Sequence, residues 1–360
     1  MSRPIQALID LPALRHNFMV ARKHAGDAHI WAVIKANAYG HGLLRVARAL
    51  AKAADGFALV ELEGAIALRD AGLEHPLLLL EGFYSADELP LFAQYRLTPV
   101  LHSLHQVQAL VETQLTTPLR VYLKLNTGMN RLGLDGGELR AALEKLQTAP
   151  QVSALSLMTH FADADSGEDG RGIGGQLKVL EVMRSQLDYP LSLANSAALL
   201  RYPEGQGDWV RAGIMLYGSS PFPELASADA LGLRPVMTLK SELIAVRELN
   251  AGDRIGYGGI FKATTPMRVG IVACGYADGY PRHALTGTPI LVEGWRTRTL
   301  GRVSMDKLCV DLTEIPKAGV GSPVVLWGDG LSVDLVAAFA GTVSYELFCA
   351  LAARVPVTEL

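Results

Sequence analysis

Short apolar runs rich in β-branched residues alternate, over the first two thirds of the chain, with amphipathic stretches at helical spacing, each pair separated by a polar turn. Eight such runs stand out: IWAVIK at 30–35, GFALV at 56–60, PLLLLEG at 76–82, LTPVLHS at 97–103, LRVYLKLN at 119–126, ALSLMTHF at 154–161, PLSLANS at 190–196 and WVRAGIMLYG at 209–218. Helices are predicted between them in LLRVARALAKAA, SLHQVQALVETQL and LRAALEKLQTA. A near-continuous apolar strand has to be covered on both faces, so the alternation predicts an α/β fold with a parallel sheet under helices. Eight βα units in this length predict a (β/α)8 TIM barrel rather than an open sheet. From Arg234 the texture changes to short strands with Gly turns, in KSELIAVRELNAGD, RVGIVACGYADGY, TPILVEGWRTRTLGRVSMDKLCVDL and SPVVLWGDG. These predict a second, C-terminal β-rich domain over 234–360, after a barrel domain over 1–233. SVDLVAAFAGTVSYELFCALAARV predicts a closing helical segment.

Composition narrows the partners. The chain has 360 residues, with 33 Lys plus Arg against 36 Asp plus Glu, a net charge of −3. Without a basic excess there is no field to draw nucleic acid or an anionic membrane, and a small-molecule partner is expected. No stretch of about 18 uncharged apolar residues occurs, and MSRPIQALIDLPALRHN lacks a basic segment followed by an apolar one, so a soluble cytoplasmic protein is expected. Cys274, Cys309 and Cys349 are scattered without CxxC spacing, which predicts neither a disulfide framework nor a metal site.

In a barrel of this kind chemistry sits at the C-terminal strand ends, and the unusual polar residues collect there. Lys35 ends the first run, in VIKANAYGHG; Lys124, Asn126 and Arg131 follow the fifth; His160 ends the sixth; Asn195 and Ser196 end the seventh; Arg211 and Gly213 fall in the eighth. Lys35 has two readings: a snorkelling or ion-paired lysine, or a desolvated amine able to form a Schiff base. A Schiff base to pyridoxal 5′-phosphate needs a phosphate site, and Asn195, Ser196, Gly213 and the backbone at Ile214 offer small residues, a hydroxyl and N–H donors for one. The competing reading of Asn195 and Ser196 is an ordinary helix N-cap before AALLRYP, and that of Arg211 is a structural ion pair.

The run VIKANAYGHG closely resembles the pyridoxal phosphate attachment motif of the alanine racemases. KLNTGMNRLG, THFADAD, ANSAA, RAGIMLYG, GYGGIF, GYADGYPR, GRVSMD and SYELFCALAARVP resemble further segments of that family, in its order, so that the likeness runs from about residue 5 to residue 356. The chain departs from the family's pattern in ending RVPVTEL, where many members carry a further basic residue.

The resemblance implies an alanine racemase that interconverts L-alanine and D-alanine through a pyridoxal phosphate aldimine on Lys35. Two bases on opposite faces of a planar intermediate are the economical geometry for racemisation. The family pattern makes Lys35 the base for D-alanine and Tyr257, in GYGGIF, the base for L-alanine, with His160 and Arg211 as the cationic network that lowers the phenol's pKa. Read from the residues alone, Tyr257 is a Gly-flanked turn tyrosine with a solvated hydroxyl. By the same resemblance Arg211 faces the pyridine nitrogen, Arg131 holds the substrate carboxylate, Lys124 is carried as a carbamate, Tyr39 and Tyr345 contact the phosphate and Met305 lines the substrate pocket. Tyr257 and Met305 lie in the β-rich domain, and the resemblance implies a head-to-tail homodimer in which each site takes Tyr257 from the other subunit. Two other readings remain open: a decarboxylase of the same architecture, although GYADGYPR stands where a CDGxD-like segment is needed, and a non-catalytic single-barrel binding protein, which lacks the β-rich domain.

Overall fold

A computed structural model describes residues 3–167, 170–185 and 187–360. Strand β1 (Gln6–Ile9) leads into the helix Leu11–Ala25, whose start is fixed by Asp10 accepting the Ala13 N–H at 2.7 Å. Eight strands then close a parallel barrel: β2 (His29–Val33), β3 (Gly56–Leu59), β4 (Leu77–Leu79), β5 (Leu97–Leu101), β6 (Leu119–Lys124), β7 (Val152–Met158), β8 (Leu191–Ser192) and β9 (Trp209–Ala212), with β9 pairing back onto β2. Side chains such as Ile30, Ala32, Phe57, Leu59 and Val210 are wholly buried, as strands covered on both faces require. The eight apolar runs of the sequence are these eight strands.

The strands stop earlier than the runs. β2 ends at Val33, so Lys35 opens a short turn, Lys35–Tyr39, rather than finishing a strand. β8 ends at Ser192, which puts Asn195 and Ser196 at the start of the helix Ser196–Arg201. The second half of WVRAGIMLYG is a 3-10 turn, Ile214–Tyr217. In each case the hydrogen-bonding ladder gives out where the chain turns over the barrel mouth, and local polar contacts replace it.

The rest of the chain forms β10 (Met237–Leu249), β11 (Arg254–Ile255), β12 (Phe261–Lys262), β13 (Met267–Val272), β14 (Pro289–Val292), β15 (Trp295–Leu300), β16 (Leu308–Asp311), β17 (Pro323–Trp327) and β18 (Val357–Glu359). Eight of these and earlier strands make one sheet in the order β13-β16-β15-β14-β17-β10-β1-β18, and β11 pairs β12 apart from it. β1, which belongs to the 1–233 segment in sequence, is a strand of this second sheet: Gln6 faces Lys240 on antiparallel β10, and Ala7 faces Val357 on parallel β18. The closing segment is not one helix but two, Val333–Phe339 and Ser344–Cys349, parted at Gly341, whose φ of +68° ends the first.

Two contacts lock the closing helices onto the barrel mouth. Gly40 has a φ of +75°, and a Cβ there would run into the carbonyl of Phe348, so the second closing helix rests directly on backbone. Buried Asp334 accepts the Ser219 hydroxyl at 2.5 Å and the Ser220 N–H at 3.0 Å, while Ser219 shares a 2.6 Å hydrogen bond with the Ser344 hydroxyl. Among the described residues no helix is long and apolar enough to cross a membrane.

Candidate active site

A cavity of about 630 Å³ opens at the C-terminal ends of the barrel strands. Eleven of the residues singled out in the sequence line it: Lys35 and Tyr39 after β2, Lys124 and Arg131 at and after β6, His160 after β7, Asn195 and Ser196 after β8, Arg211, Gly213 and Ile214 in and after β9, and Tyr345 from the closing helix. Tyr257 and Met305 do not line it. Tyr257 opens a short turn between β11 and β12 and is 72% exposed; Met305, between β15 and β16, is 52% exposed.

Lys35 and Tyr39 are presented by an unusual backbone. Ala36, Asn37, Ala38 and Tyr39 have φ of 52°, 53°, 53° and 50°, one turn of left-handed helix without a glycine. For L-residues that conformation costs about 1–2 kcal/mol each, so the surroundings must impose it. Asn37 Oδ1 accepts the Leu43 N–H at 2.8 Å, Glu61 accepts the Ala36 N–H at 3.3 Å, and the Gly40 N–H returns to the Ala36 carbonyl at 3.0 Å. The Tyr39 ring then stacks on Tyr217 at 4.7 Å and meets Tyr345 at 5.9 Å. Burial pushes the Tyr39 and Tyr345 phenols up, so both are hydrogen-bond donors, not bases, near neutrality.

Opposite lies a cleft floored by backbone. Ser196 Oγ accepts the Gly213 N–H at 2.9 Å, and a Cβ on Gly213 would sit 2.9 Å from Tyr39 Oη and 3.8 Å from Ser196 Oγ. Only glycine leaves that space open. The N-cap reading of Asn195 holds, since its side chain caps the helix Ser196–Arg201 by accepting the Ala198 N–H at 2.9 Å, and the residue also lines the cavity.

Arg211 is buried with no carboxylate at ion-pair distance among the described residues, so the ion-pair reading does not hold there. It donates to the carbonyls of Thr159 (2.6 Å), Ser192 (2.8 Å) and Leu193 (3.0 Å), to Ser192 Oγ (2.7 Å) and to His160 Nδ1 (3.4 Å). Burial pushes its guanidinium down to about 10. Because Arg211 has no acceptor, His160 Nδ1 must carry the lone pair and Nε2 the proton. Burial, with Arg211 the most influential of several cations, holds that imidazole well below the usual histidine range.

Lys124 ends β6, buried, with no carboxylate at ion-pair distance among the described residues. Burial first, then Arg211 and Arg131, push its amine down to about 8, against a smaller opposing effect of Glu81. Arg131 follows a tight turn in which Asn126 Oδ1 accepts the N–H groups of Gly128 (3.2 Å) and Asn130 (3.0 Å). Glu81 and Asp165 also line the cavity. Neither was singled out in the sequence, although Glu81 stands near the end of the third apolar run and the strand-end rule reaches it.

Among the described residues no cluster of His, Cys, Asp and Glu could hold a metal. A charged cavity over a closed barrel, joined to a β-rich domain, is here the framework of an isomerase, a racemase. The family model for the alanine racemase N-terminal domain matches residues 9–221, and that for the C-terminal domain matches residues 236–359. The chain belongs to the alanine racemase family. It is 56% identical to an alanine racemase of Nitrosospira multiformis, over 98% of this chain and 99% of that one, and 53% identical to a catabolic alanine racemase of Klebsiella aerogenes over the whole of both. The solved structure of the biosynthetic alanine racemase from Pseudomonas aeruginosa superposes with a TM-score of 0.97 at 47% identity, covering 99% of each chain.

Proposed function

We propose that this cavity binds pyridoxal 5′-phosphate and that the protein interconverts L-alanine and D-alanine with two bases, Lys35 on one face and Tyr257 of the partner subunit on the other. The observation that carries the reading is the cleft at Gly213. Tyr39 Oη and Ser196 Oγ border the space beside Gly213 into which a Cβ would intrude, and they line one cavity with Ile214 and Lys35, which fits a phosphate held by neutral donors. When bound, the cofactor supplies the sink for the electron pair left at the substrate α-carbon.

The chain's own residues do the rest. Arg131 holds the substrate carboxylate with its planar fork of donors. Lys35 Nζ takes or returns the α-proton on one face, and Tyr257 Oη of the partner subunit does so on the other. Arg211, with donors only, has nothing to share a proton with a pyridine nitrogen, and this restrains transamination. Tyr257 and Met305 are exposed on their own chain and absent from its cavity, which supports an active homodimer that shares its sites. Lys124, lowered to about 8 among cations, is suited to addition of carbon dioxide. Its nitrogen lone pair forms an N–C bond, one C=O π bond opens, and a proton leaves the nitrogen to solvent; the resulting carbamate is an anion able to orient Arg131. Three free cysteines and no apolar spanning helix among the described residues support a cytoplasmic site of action.

The test is L-alanine in deuterated water with the holoenzyme, followed by chiral chromatography and mass. D-alanine carrying α-deuterium is expected. No α-exchange with cofactor bound overturns the reading, and loss of the carboxyl group would identify a decarboxylase.

A further inference from the structure

His41 is wholly buried beneath the left-handed turn and takes no part in the chemistry proposed above. Its Nδ1 lies 2.8 Å from the Tyr39 carbonyl and 3.2 Å from the Ala38 carbonyl. Two carbonyl oxygens can only accept, so Nδ1 must carry the proton, and a second proton on Nε2 would be a buried charge with no acceptor among the described residues, which keeps the ring neutral. Among the described residues Nε2 has no hydrogen-bond partner. The ring is packed among aromatics, 4.6 Å from Tyr217 and edge-on at 4.9 Å to Phe348. A histidine with one nitrogen committed to backbone and the other orphaned in an apolar nest is placed for its single donor.

That donor goes where the backbone needs one. Among the described residues the Tyr39 carbonyl has no other hydrogen-bond partner, whereas the Ala38 carbonyl also takes the His41 N–H at 3.0 Å. The left-handed turn points these carbonyls inward, away from water, and an unmet buried carbonyl is costly. On the far side of the same nest Tyr217 stacks against Tyr39 and sends its hydroxyl to the Val33 carbonyl at 2.9 Å, two residues before Lys35. His41, Tyr217 and Tyr39 thus form a column of rings tied to backbone at Val33 before the turn and at Tyr39 on its last left-handed residue.

We propose that His41 is a positioning residue: its Nδ1–H holds the left-handed turn Ala36–Tyr39 closed, and so aims Lys35 and Tyr39 into the cavity. The proposal rests on the reading of Lys35 as the cofactor lysine for its functional consequence, but the hold on the turn is separate from that reading. Burial also drives the imidazole down to about 4, which keeps the donor neutral and in place through the physiological range.

Two experiments on the full-length protein test it. In the wild type, ¹⁵N-histidine NMR should show His41 as the neutral Nδ1–H tautomer at pH 6; an Nε2–H tautomer or a charged ring there overturns the proposal. The second compares His41→Asn with His41→Leu, side chains of nearly equal shape of which only the first offers a donor near the Nδ1 position. The readout is the pyridoxal phosphate concentration that half-saturates borohydride trapping on Lys35, located by peptide mapping. His41→Leu should raise it about tenfold and His41→Asn no more than about threefold, the scale of one buried hydrogen bond, at matched melting temperatures. Equal effects of the two variants would reduce His41 to core packing and overturn the proposal. If His41→Leu does not fold, the tautomer and the near-normal trapping of His41→Asn must both be seen for the proposal to stand. Absence of trapping on Lys35 in the wild type would refute the cofactor site, while the tautomer still decides what His41 holds.

Discussion

Arg211 points Nη2 at Nδ1 of His160 from 3.4 Å, and its remaining hydrogen bonds end on three backbone carbonyls and one serine hydroxyl, with no carboxylate among them. The arginine therefore braces the ends of β7 and β8 as much as it faces the cavity. Arg211→Lys keeps the charge but replaces a five-donor fork with a three-donor point. The unfolding free energy from urea denaturation should fall by about 2 kcal/mol, because at least one buried carbonyl loses its partner. An unchanged midpoint would show that lysine or water makes good those contacts.

Gly213→Ala separates the cleft from the fold. The variant's melting temperature is read first, because Gly213 sits at φ −119° and ψ −102°, outside the helical and extended regions. The added methyl would lie 2.9 Å from Tyr39 Oη and occupy the proposed phosphate space. Cofactor affinity, read by equilibrium dialysis against pyridoxal phosphate, should weaken at least about tenfold, one lost hydrogen bond plus the clash. Affinity within error of wild type would place the phosphate elsewhere.

Acid should destabilise the protein through its buried histidines. His41 is lowered to about 4 and His160 is lowered as well, whereas both titrate near 6.5 once unfolded. As pH falls through 6.5 the unfolded chain takes up protons that the folded chain refuses, so stability declines, and the decline stops only below the folded values. For His41 alone the span from 6.5 to 4 corresponds to about 3 kcal/mol. Urea midpoints measured between pH 7.5 and 4.5 should fall steadily, and His41→Asn should flatten part of the slope.

What the sequence revealed and what it hid follow from the range of the forces involved. Barrel strands are apolar on both faces, so runs such as IWAVIK and LRVYLKLN announce themselves locally, and polar residues within or ending such runs, Arg211 and Lys35 among them, can be assigned to the mouth. β1 pairs with residues more than 200 positions away, and its four residues carry no local pattern long enough to mark a strand. The left-handed turn is built from Ala, Asn, Ala and Tyr, of which only Asn visits that region readily; neighbours such as Glu61 and Phe348 impose it. The separation of Tyr257 and Met305 from the cavity is likewise a fact of three-dimensional placement that spacing along the chain does not encode.

Lys124 yields a prediction with opposite signs for its two states. Unmodified, a buried amine lowered to about 8 among cations opposes folding by about 3 kcal/mol at pH 7, so Lys124→Met should raise the melting temperature. Carbamylated, the same side chain is an anion among Arg131, Arg211 and Lys35, and the same substitution should lower it. The amine must be neutral to add carbon dioxide, so occupancy should rise with pH through about 8 and with added bicarbonate. A ¹³C-labelled carbamate signal growing along that course, lost in Lys124→Met, is the expected result. No signal at saturating bicarbonate and pH 8.5 would sink the modification.

The shared site can be tested by mixing two inactive proteins. On one chain Lys35 lines the cavity and Tyr257 lies exposed outside it, so Lys35→Ala and Tyr257→Ala damage different ends of a site if two copies complete it. Random re-pairing of equal amounts after mild dissociation makes half the dimers mixed, and each mixed dimer holds one intact site of two. About a quarter of wild-type racemase activity should therefore return, with neither variant active alone. Exchange can be verified independently by native mass spectrometry on size-tagged chains. Mixed dimers without activity would mean that Tyr257 serves a site on its own chain, and the face that carries it would have to fold over the cavity by a rearrangement of the β-rich domain.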